Sequence, residues 1–168
     1  MGTMQFQTLN DVLAEQIGDL QSAEQQLILA LPQMASSASN TDLREAIEHH
    51  LEQTKNHAKR LQQVAQQIGT SVPQQECKGM KGLIAEGEEI LRATGDPNAK
   101  DAALIAAAQR VEHYEIAGYG TVRTFAQRLG KQEVARLLQQ TLDEEAATDK
   151  KLTGLAEQAI NPKAAAKS

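Results

Sequence analysis

The chain has 168 residues, 40% of them hydrophobic, which is enough for one folded domain with a sizeable core. Its formal net charge is −5, and 17 basic residues are scattered among 22 acidic ones, which argues against a nucleic-acid partner. Two Phe, two Tyr and no Trp, beside many Leu, Ala, Gln, Glu and Lys, favour helix over strand.

The sequence predicts a cytoplasmic protein that does not bind membranes. No run approaches the roughly 18 apolar residues of a membrane-spanning helix, and the N-terminal residues lack the pattern of a signal peptide. Cys77 is the only cysteine, so the chain has no resolving partner for it. We expect an incidental free thiol rather than a redox centre.

The first predicted helix starts at Leu9. Apolar residues recur from there to Leu31 with the spacing of one buried helical face, and Thr8 or Asn10 could cap the helix. Small polar residues at 36–40 then predict a turn.

A second helical pattern runs from Thr41 to Ile68, and Gly69 ends it. Residues 70–80 predict a loop, and residues from about 81 to 93 predict a short helix.

A third long helix is predicted over about 99–129, and Gly130 separates it from a fourth over about 132–158. The tail at 159–168 is expected to fray. Two helical hairpins joined by a crossover with a short helix describe an all-α, ferritin-like four-helix bundle. We therefore predict a single domain over residues 1–168, with its core at about 8–158.

Four glutamates fall inside the apolar stripes of the long helices: Glu24, Glu112, Glu115 and Glu145. A carboxylate buried in a bundle core costs several kcal/mol unless something pairs with it. Residues equidistant from the turn of an antiparallel hairpin lie at one height, so Glu24 is level with position 52, and Glu115 with Glu145. The four carboxylates are thus predicted to form one layer.

Helix two offers the remaining candidate ligands. His50 is the best placed nitrogen at the predicted height of Glu24, and the amide oxygen of Gln53 could complete the set. His57 lies on the same side, and we rank it below His50. Three neighbours are expected on the surface instead: His49, Glu52 and His113.

Charge balance favours a metal centre in this layer. Four carboxylates within a few ångströms repel one another unless cations neutralise them, and two divalent ions supply four positive charges. Oxygen-rich sites with one or two imidazoles suit iron or manganese better than zinc. A salt bridge to Arg or Lys is an alternative for any one glutamate, but it explains four at one level poorly.

Five segments resemble the YciF/YciE family of bacterial stress proteins, in matching order between Leu9 and about Ala156: residues 19–27, 50–54, 101–109, 111–120 and 144–149. The resemblance implies a ferritin-like fold with a rubrerythrin-like helical core, a homodimer and a role in stress responses. It also implies metal-ligand roles for Glu24, Glu112, Glu115 and Glu145.

The chain departs from the pattern that the resemblance implies at two positions. Gln53 stands where related chains often have Glu, and Thr148 stands three residues after Glu145, where a Glu-x-x-His pair would place His. Helix two is therefore expected to complete the site in another way.

Two hypotheses for the function follow. The first is a di-metal carboxylate protein of the stress response that binds iron or manganese and could react with dioxygen or peroxide. The alternative is a non-enzymatic helical bundle that acts through its surface or its dimer interface, without a functional metal site.

Overall fold

A computed structural model of the chain describes residues 5–166, and over that range it contains helices, turns and loops but no strand. The predicted all-α fold class is confirmed. The helices are α1 (Leu9–Ser37), α2 (Thr41–Gln67), α3 (Lys78–Arg92), α4 (Pro97–Arg128), α5 (Gln132–Leu155), a π-helical turn (Ala156–Ile160) and α6 (Asn161–Ala165).

The predicted starts of α1 and α2 follow from their caps. Thr8 caps α1: its side chain accepts a hydrogen bond from the Asp11 amide, and the Asp11 carboxylate accepts one from the Thr8 amide at 2.8 Å. Asn40 caps α2 by accepting from the Leu43 amide at 3.0 Å. These bonds satisfy amides that a helix start leaves without partners.

Helix α3 starts earlier than predicted because Cys77 caps it. The Cys77 sulfur accepts a hydrogen bond from the Met80 amide at 3.3 Å, so the first turn begins at Lys78 rather than near residue 81. Cys77 itself is buried. Sulfur is a weak acceptor, and cysteine is therefore not a residue from which a helix cap is usually predicted.

Helical structure also continues past the predicted end of the core. The π-helical turn after α5 brings Ile160 into the interior, where 1% of its surface is exposed, and α6 reaches Ala165. Part of the tail that we expected to fray is therefore described as helix. Residues 167 and 168 lie outside the described range.

The four long helices form a closed bundle of two hairpins. Helix α1 packs against α2 and α4, α5 packs against α2 and α4, and α3 covers α1 and α4. None of the helices described between residues 5 and 166 combines the length and apolar character that a membrane crossing requires.

The apolar core is divided into two clusters. One contains Leu27 and Ile47, and the other contains Leu20 and Leu61. Each fully buried Leu or Ile contributes about 1.5–3 kcal/mol to stability. On α2, α4 and α5 a buried polar residue separates the two clusters, and on α1 a buried glutamate lies next to the change from one cluster to the other. A polar layer therefore crosses the bundle: Glu24, Thr54, Glu115 and Glu145.

Asp101 connects the two hairpins at the end of the bundle. Its buried carboxylate accepts hydrogen bonds from the backbone amides of Ser39 at 2.9 Å and Asn40 at 2.7 Å. These amides belong to the turn between α1 and α2, at the positive end of the α2 dipole. The second hairpin thereby holds the turn of the first.

Candidate metal centre

The polar layer brings together carboxylates and imidazoles from all four long helices. Each side chain lies on the inner stripe of its helix, between apolar residues of the two core clusters, and at most 3% of each residue is exposed. The group comprises Glu24 of α1, His50 and His57 of α2, Glu112 and Glu115 of α4, and Glu145 of α5.

The first cluster contains His50, Glu112, Glu115 and Glu145. One potential ligand atom from each residue lies within 4.8 Å of those from the other three. The His50 Nε2 atom is 3.0 Å from Glu112 Oε1 and 3.9 Å from Glu145 Oε2. One nitrogen and three carboxylates therefore surround a common point.

The second cluster contains Glu24, His57 and Glu145, again with ligand atoms within 4.8 Å of one another. The His57 Nδ1 atom is 2.9 Å from Glu145 Oε1 and 3.5 Å from Glu24 Oε1. The Tyr119 hydroxyl donates a short hydrogen bond to Glu24. Glu145 belongs to both clusters, with one carboxylate oxygen near each imidazole.

These atoms lie close together without forming hydrogen bonds. His50 Nε2, His57 Nδ1 and both carboxylate oxygens of Glu115 and Glu145 are buried and have no hydrogen-bond partner. Buried polar groups normally have partners. Two atoms that bind one ion at about 2.1 Å, and about 90° apart, are about 3.0 Å from each other, as the closest nitrogen–oxygen pairs are here. The donor set therefore fits metal ions.

Burial raises the pKa of every carboxyl group in the layer. Loss of hydration raises the pKa of Glu112 to about 7 and that of Glu145 to about 6. The pKa of Glu24 is also raised by burial. For Glu115 burial acts first and the neighbouring carboxylates add to it, so its pKa lies well above the usual range. When all four carboxylates are ionised, cations are needed to offset the lost hydration and the mutual repulsion.

The two imidazoles have opposite pKa shifts. Burial lowers the pKa of His50, which favours the neutral ring that a metal requires. Burial alone would also lower the pKa of His57, but its contacts with Glu145 and Glu24 outweigh that effect and raise the pKa to about 10. His57 can therefore carry a positive charge that offsets one carboxylate when no metal ion is bound.

The outer ring nitrogen of His57 is held by Glu144. His57 Nε2 is 2.7 Å from Glu144 Oε2, and Arg60 donates hydrogen bonds of 3.2 Å to each oxygen of the same carboxylate. A carboxylate acceptor keeps the proton on Nε2 and leaves the Nδ1 lone pair for the second cluster. The Arg60–Glu144 pair therefore orients His57.

Gln53 lies on the outer side of His50. Its amide oxygen accepts a hydrogen bond from the Thr148 hydroxyl at 3.2 Å, and that hydroxyl is 3.5 Å from His50 Nδ1. We expected Gln53 to supply a ligand oxygen, but this oxygen is directed to Thr148. One turn after Gln53 on α2, His57 directs its Nδ1 atom, which has no hydrogen-bond partner, into the layer.

The imidazole that contacts Glu24 is His57, whereas we had placed His50 at that height. The difference is one of side-chain direction: helical side chains lean toward the N-terminus of their own helix. In an antiparallel hairpin, Glu24 and His57 therefore lean toward each other, and they meet although position 57 is five residues, about 7.5 Å along the helix, from the backbone level that matches Glu24. The seven-residue spacing of His50 and His57, which keeps both on one face, was the available signal.

The residues expected on the surface are exposed: His49, Glu52 and His113. Within residues 5–166, the ion pairs of Glu24, Glu112 and Glu145 are made with histidine, and none is made with Lys or Arg. Neutralisation of these three glutamates by Lys or Arg is thus not the arrangement observed.

The sequence matches a family model described as "Domain of unknown function (DUF892)" over residues 8–165. The chain belongs to the DUF892 family. It is 45% identical to Protein YciF of Escherichia coli (strain K12) over 162 residues, which cover 96% of this chain and 98% of YciF. The resemblance to the YciF/YciE family is confirmed.

Solved structures agree with this assignment. The crystal structure of the E. coli stress protein YciF superposes with a TM-score of 0.90 at 44% identity, covering 93% of this chain and 99% of that one. The Rhodopseudomonas palustris protein YcfI superposes with a TM-score of 0.85 at 39% identity, covering 91% and 98%. This chain and YciF therefore share fold and sequence over nearly their whole lengths.

A third structure extends the likeness in fold alone. A protein from Xanthomonas campestris pv. campestris superposes with a TM-score of 0.73 at 20% identity, covering 95% of this chain and 99% of that one.

Proposed function

We propose that this protein binds two divalent ions of iron or manganese in its polar layer and uses them in stress protection. The observation that carries the proposal is the convergence of four buried carboxylates and two imidazoles. Each of these six groups has at least one buried oxygen or nitrogen atom without a hydrogen-bond partner. Under the proposal, one ion is bound by His50, Glu112, Glu115 and Glu145, and the other by Glu24, His57 and Glu145.

Charge and ligand type support iron or manganese. Four ionised carboxylates carry four negative charges, and two divalent ions neutralise them when both imidazoles are neutral. Carboxylate-rich sites with one imidazole per ion suit these metals, while zinc sites are closed by fewer ligands with more nitrogen or sulfur.

The protein groups would position the ions and control access to them. When bound, Fe²⁺ or Mn²⁺ would supply the electrons for reduction of dioxygen or peroxide. Glu145, with one oxygen near each imidazole, sets the spacing of the two positions. Tyr119 holds Glu24 through its hydroxyl, and the layer is buried between the two apolar clusters.

Metal analysis with single-site variants tests the proposal. Protein purified without chelator, or reconstituted anaerobically with Fe²⁺ or Mn²⁺, is expected to hold two ions per chain. We expect His50→Ala and His57→Ala to weaken one position each, and the Glu112→Ala, Glu145→Ala double variant to lose both. Glu52→Ala is the matched control, because Glu52 is on α2 but its side chain is 69% exposed.

Absence of both metals after reconstitution of folded wild-type protein would contradict the proposal, as would equal metal content in the double variant. If metal binds, consumption of dioxygen or peroxide by the reduced protein tests the redox part. A loaded protein that is inert to both oxidants would leave metal binding without that chemistry.

A second candidate is a bundle without a functional metal site, which acts through its surface or a dimer interface. The position of His57 favours it: a protonated ring 2.9 Å from Glu145 and 3.5 Å from Glu24 neutralises part of the layer without any ion. This candidate predicts that the double variant has unchanged metal content and that substitutions on the surface, not in the layer, abolish activity in cells.

A further inference from the structure

A cavity of about 270 Å³ lies between α3 and the rest of the bundle, next to the candidate metal centre. Helices α1 to α5 all contribute to its walls. At its outer end are Leu29, which is 81% exposed, and the exposed side chain of Glu88. At its inner end are His50 and Glu112, both buried. The cavity thus extends from the surface to the group of candidate ligands formed by His50, Glu112, Glu115 and Glu145.

The walls of the cavity are mainly apolar. Leu, Ile, Val, Met and Ala side chains form most of the lining, and no Lys or Arg contributes to it. Its ionisable residues are Glu88 at the outer end and His50 and Glu112 at the inner end. Arg92 lies 3.9 Å from Glu88 at the outer end, but at the inner end an anion would meet the Glu112 carboxylate with no Lys or Arg in the lining. A cation would lose its hydration between apolar walls. A neutral molecule has neither cost.

Gly87 shows that the cavity extends up to the backbone of α3. Its backbone is buried, yet a Cβ atom built on it would have no neighbouring heavy atom within 4 Å. The open side of Gly87 therefore faces the cavity that it lines. A side chain at this position would enter the cavity without a clash.

The depth of the cavity favours a small molecule over a macromolecular partner. His50 and Glu112 at the inner end are 3% and 1% exposed, so a protein surface resting on α1 and α3 could not reach them. A cavity of about 150 Å³ holds benzene, and one of 270 Å³ has room for a larger molecule.

We propose that this cavity binds a neutral, mainly apolar organic molecule of about the size of a medium-chain alcohol, with its polar end toward His50 and Glu112. Binding itself needs only the cavity. The inference that the polar end faces a bound ion, as a substrate would, rests on the proposed function.

The test compares three probes with the same eight-carbon tail: 1-octanol, octanoate and octylammonium. Titration calorimetry with chelator-treated protein is expected to detect binding of 1-octanol and much weaker binding of both ions. Gly87→Leu should weaken 1-octanol binding by about tenfold or more, because the new side chain fills the cavity, and Gly87→Ala should have a smaller effect.

Gly82→Leu is the matched control, since Gly82 is on the same helix, is exposed and also has open space at its Cβ. We expect it to leave 1-octanol binding unchanged. Circular dichroism and gel filtration would verify that each variant keeps the wild-type fold and oligomeric state.

Four results would overturn the proposal: no binding of 1-octanol to folded wild-type protein, equally strong binding of a charged probe, equal losses in Gly87→Leu and Gly82→Leu, or a change of oligomeric state in Gly87→Leu alone. The last result would identify the surface as an interface between chains.

Orientation is tested separately with Mn²⁺-loaded protein. The protons next to the octanol hydroxyl should relax faster than those of the terminal methyl group, because Mn²⁺ accelerates relaxation at short range. Faster relaxation of the methyl end would overturn the orientation. If Mn²⁺ does not bind, the proposed function fails, while the titrations without metal still decide whether the cavity binds neutral molecules.

Discussion

His57 is the residue of the site whose two ring nitrogens have the most different surroundings. Nε2 donates to Glu144 at 2.7 Å, whereas Nδ1 faces Glu145 and Glu24 without a hydrogen bond. Arg60 fixes Glu144 in turn. Three residues on two helices thus determine which nitrogen is available to a metal ion.

The Glu144→Ala substitution tests this role. Without the carboxylate, the proton of neutral His57 is no longer held on Nε2, and we expect the affinity for Mn²⁺ at the second position to fall by about 10- to 100-fold. Titration calorimetry with Mn²⁺ measures the affinity.

Glu133→Ala serves as the control for lost charge. Glu133 is on the same helix and pairs with Arg136 on the surface, at 2.6 Å. The orienting role of Glu144 is refuted if both variants weaken binding equally, or if Glu144→Ala leaves the Mn²⁺ affinity of the second position unchanged.

Among contacts between elements, the one made by Asp101 joins the two hairpins most directly. We expect Asp101→Ala to lower the free energy of unfolding by about 3 kcal/mol, because two amides of the α1–α2 turn lose a charged acceptor in a part-buried place. Urea denaturation measures the change. Asp42→Ala, in the exposed first turn of α2, should cost less than about 1 kcal/mol. Equal losses would show that the interhelical bonds contribute little.

The crossover is seated against α1 at Gly18. A Cβ atom on Gly18 would lie 2.4 Å from the backbone oxygen of Pro73, so Gly18→Ala requires the crossover to move. We expect a loss of about 1–3 kcal/mol in the free energy of unfolding. Gly154→Ala, where a Cβ atom meets nothing within 4 Å, should instead gain up to about 1 kcal/mol from helix propensity. Thermal or urea denaturation measures both, and a neutral Gly18→Ala variant would contradict the close approach.

The elements could be predicted from the sequence because their signals are local. Thr8, Asn40 and Gly130 mark ends of helices within one or two turns of chain, and the apolar stripes between them give the helices. Asp101 has no such signal, since its partners are backbone amides 61 and 62 residues away. Its role depends on the packing of two hairpins.

For the candidate site, the sequence predicts which residues belong to it better than it predicts which of them contact one another. Glu24 and Glu145 were visible as charges within apolar stripes, but backbone height alone matched Glu24 with the wrong imidazole. The roles of Glu144 and Arg60 also depend on side-chain directions at the bundle edge. Such contacts follow from three-dimensional packing and leave no periodic pattern in the sequence.

At the scale of the whole molecule, the polar layer makes stability depend on pH. Glu112 and Glu145 have pKa values of about 7 and about 6 in the folded chain, against 4.5 for an ordinary glutamate. A raised folded pKa means that the folded state binds the proton more tightly, so this stability is complete below about 4.5 and is lost as the pH rises through 6 and 7. The pKa of His57 is also raised, to about 10 from 6.5 for an ordinary histidine, so its contribution to stability is likewise lost as the pH rises, but over a higher pH range.

We therefore expect the metal-free protein to become less stable between about pH 5 and about pH 8, and Mn²⁺ to remove most of that decline, because ionised carboxylates are its ligands. The lowered pKa of His50 acts oppositely, but only below about 6.5. Midpoints of urea unfolding with chelator and with Mn²⁺ measure both curves. A flat curve with chelator, or the same decline with Mn²⁺, would be incompatible with this account.

Glu145 has one oxygen near His50 and the other near His57. Under the proposed function, an ion at one position fixes the carboxylate that the other position also needs, and it removes the cost of deprotonating it. Binding at the two positions then has a coupling free energy, and each ion raises the affinity for the other by the same factor. Metal loading would be cooperative: chains with no ion and chains with two would predominate, and half-loaded chains would be rare even when metal is scarce.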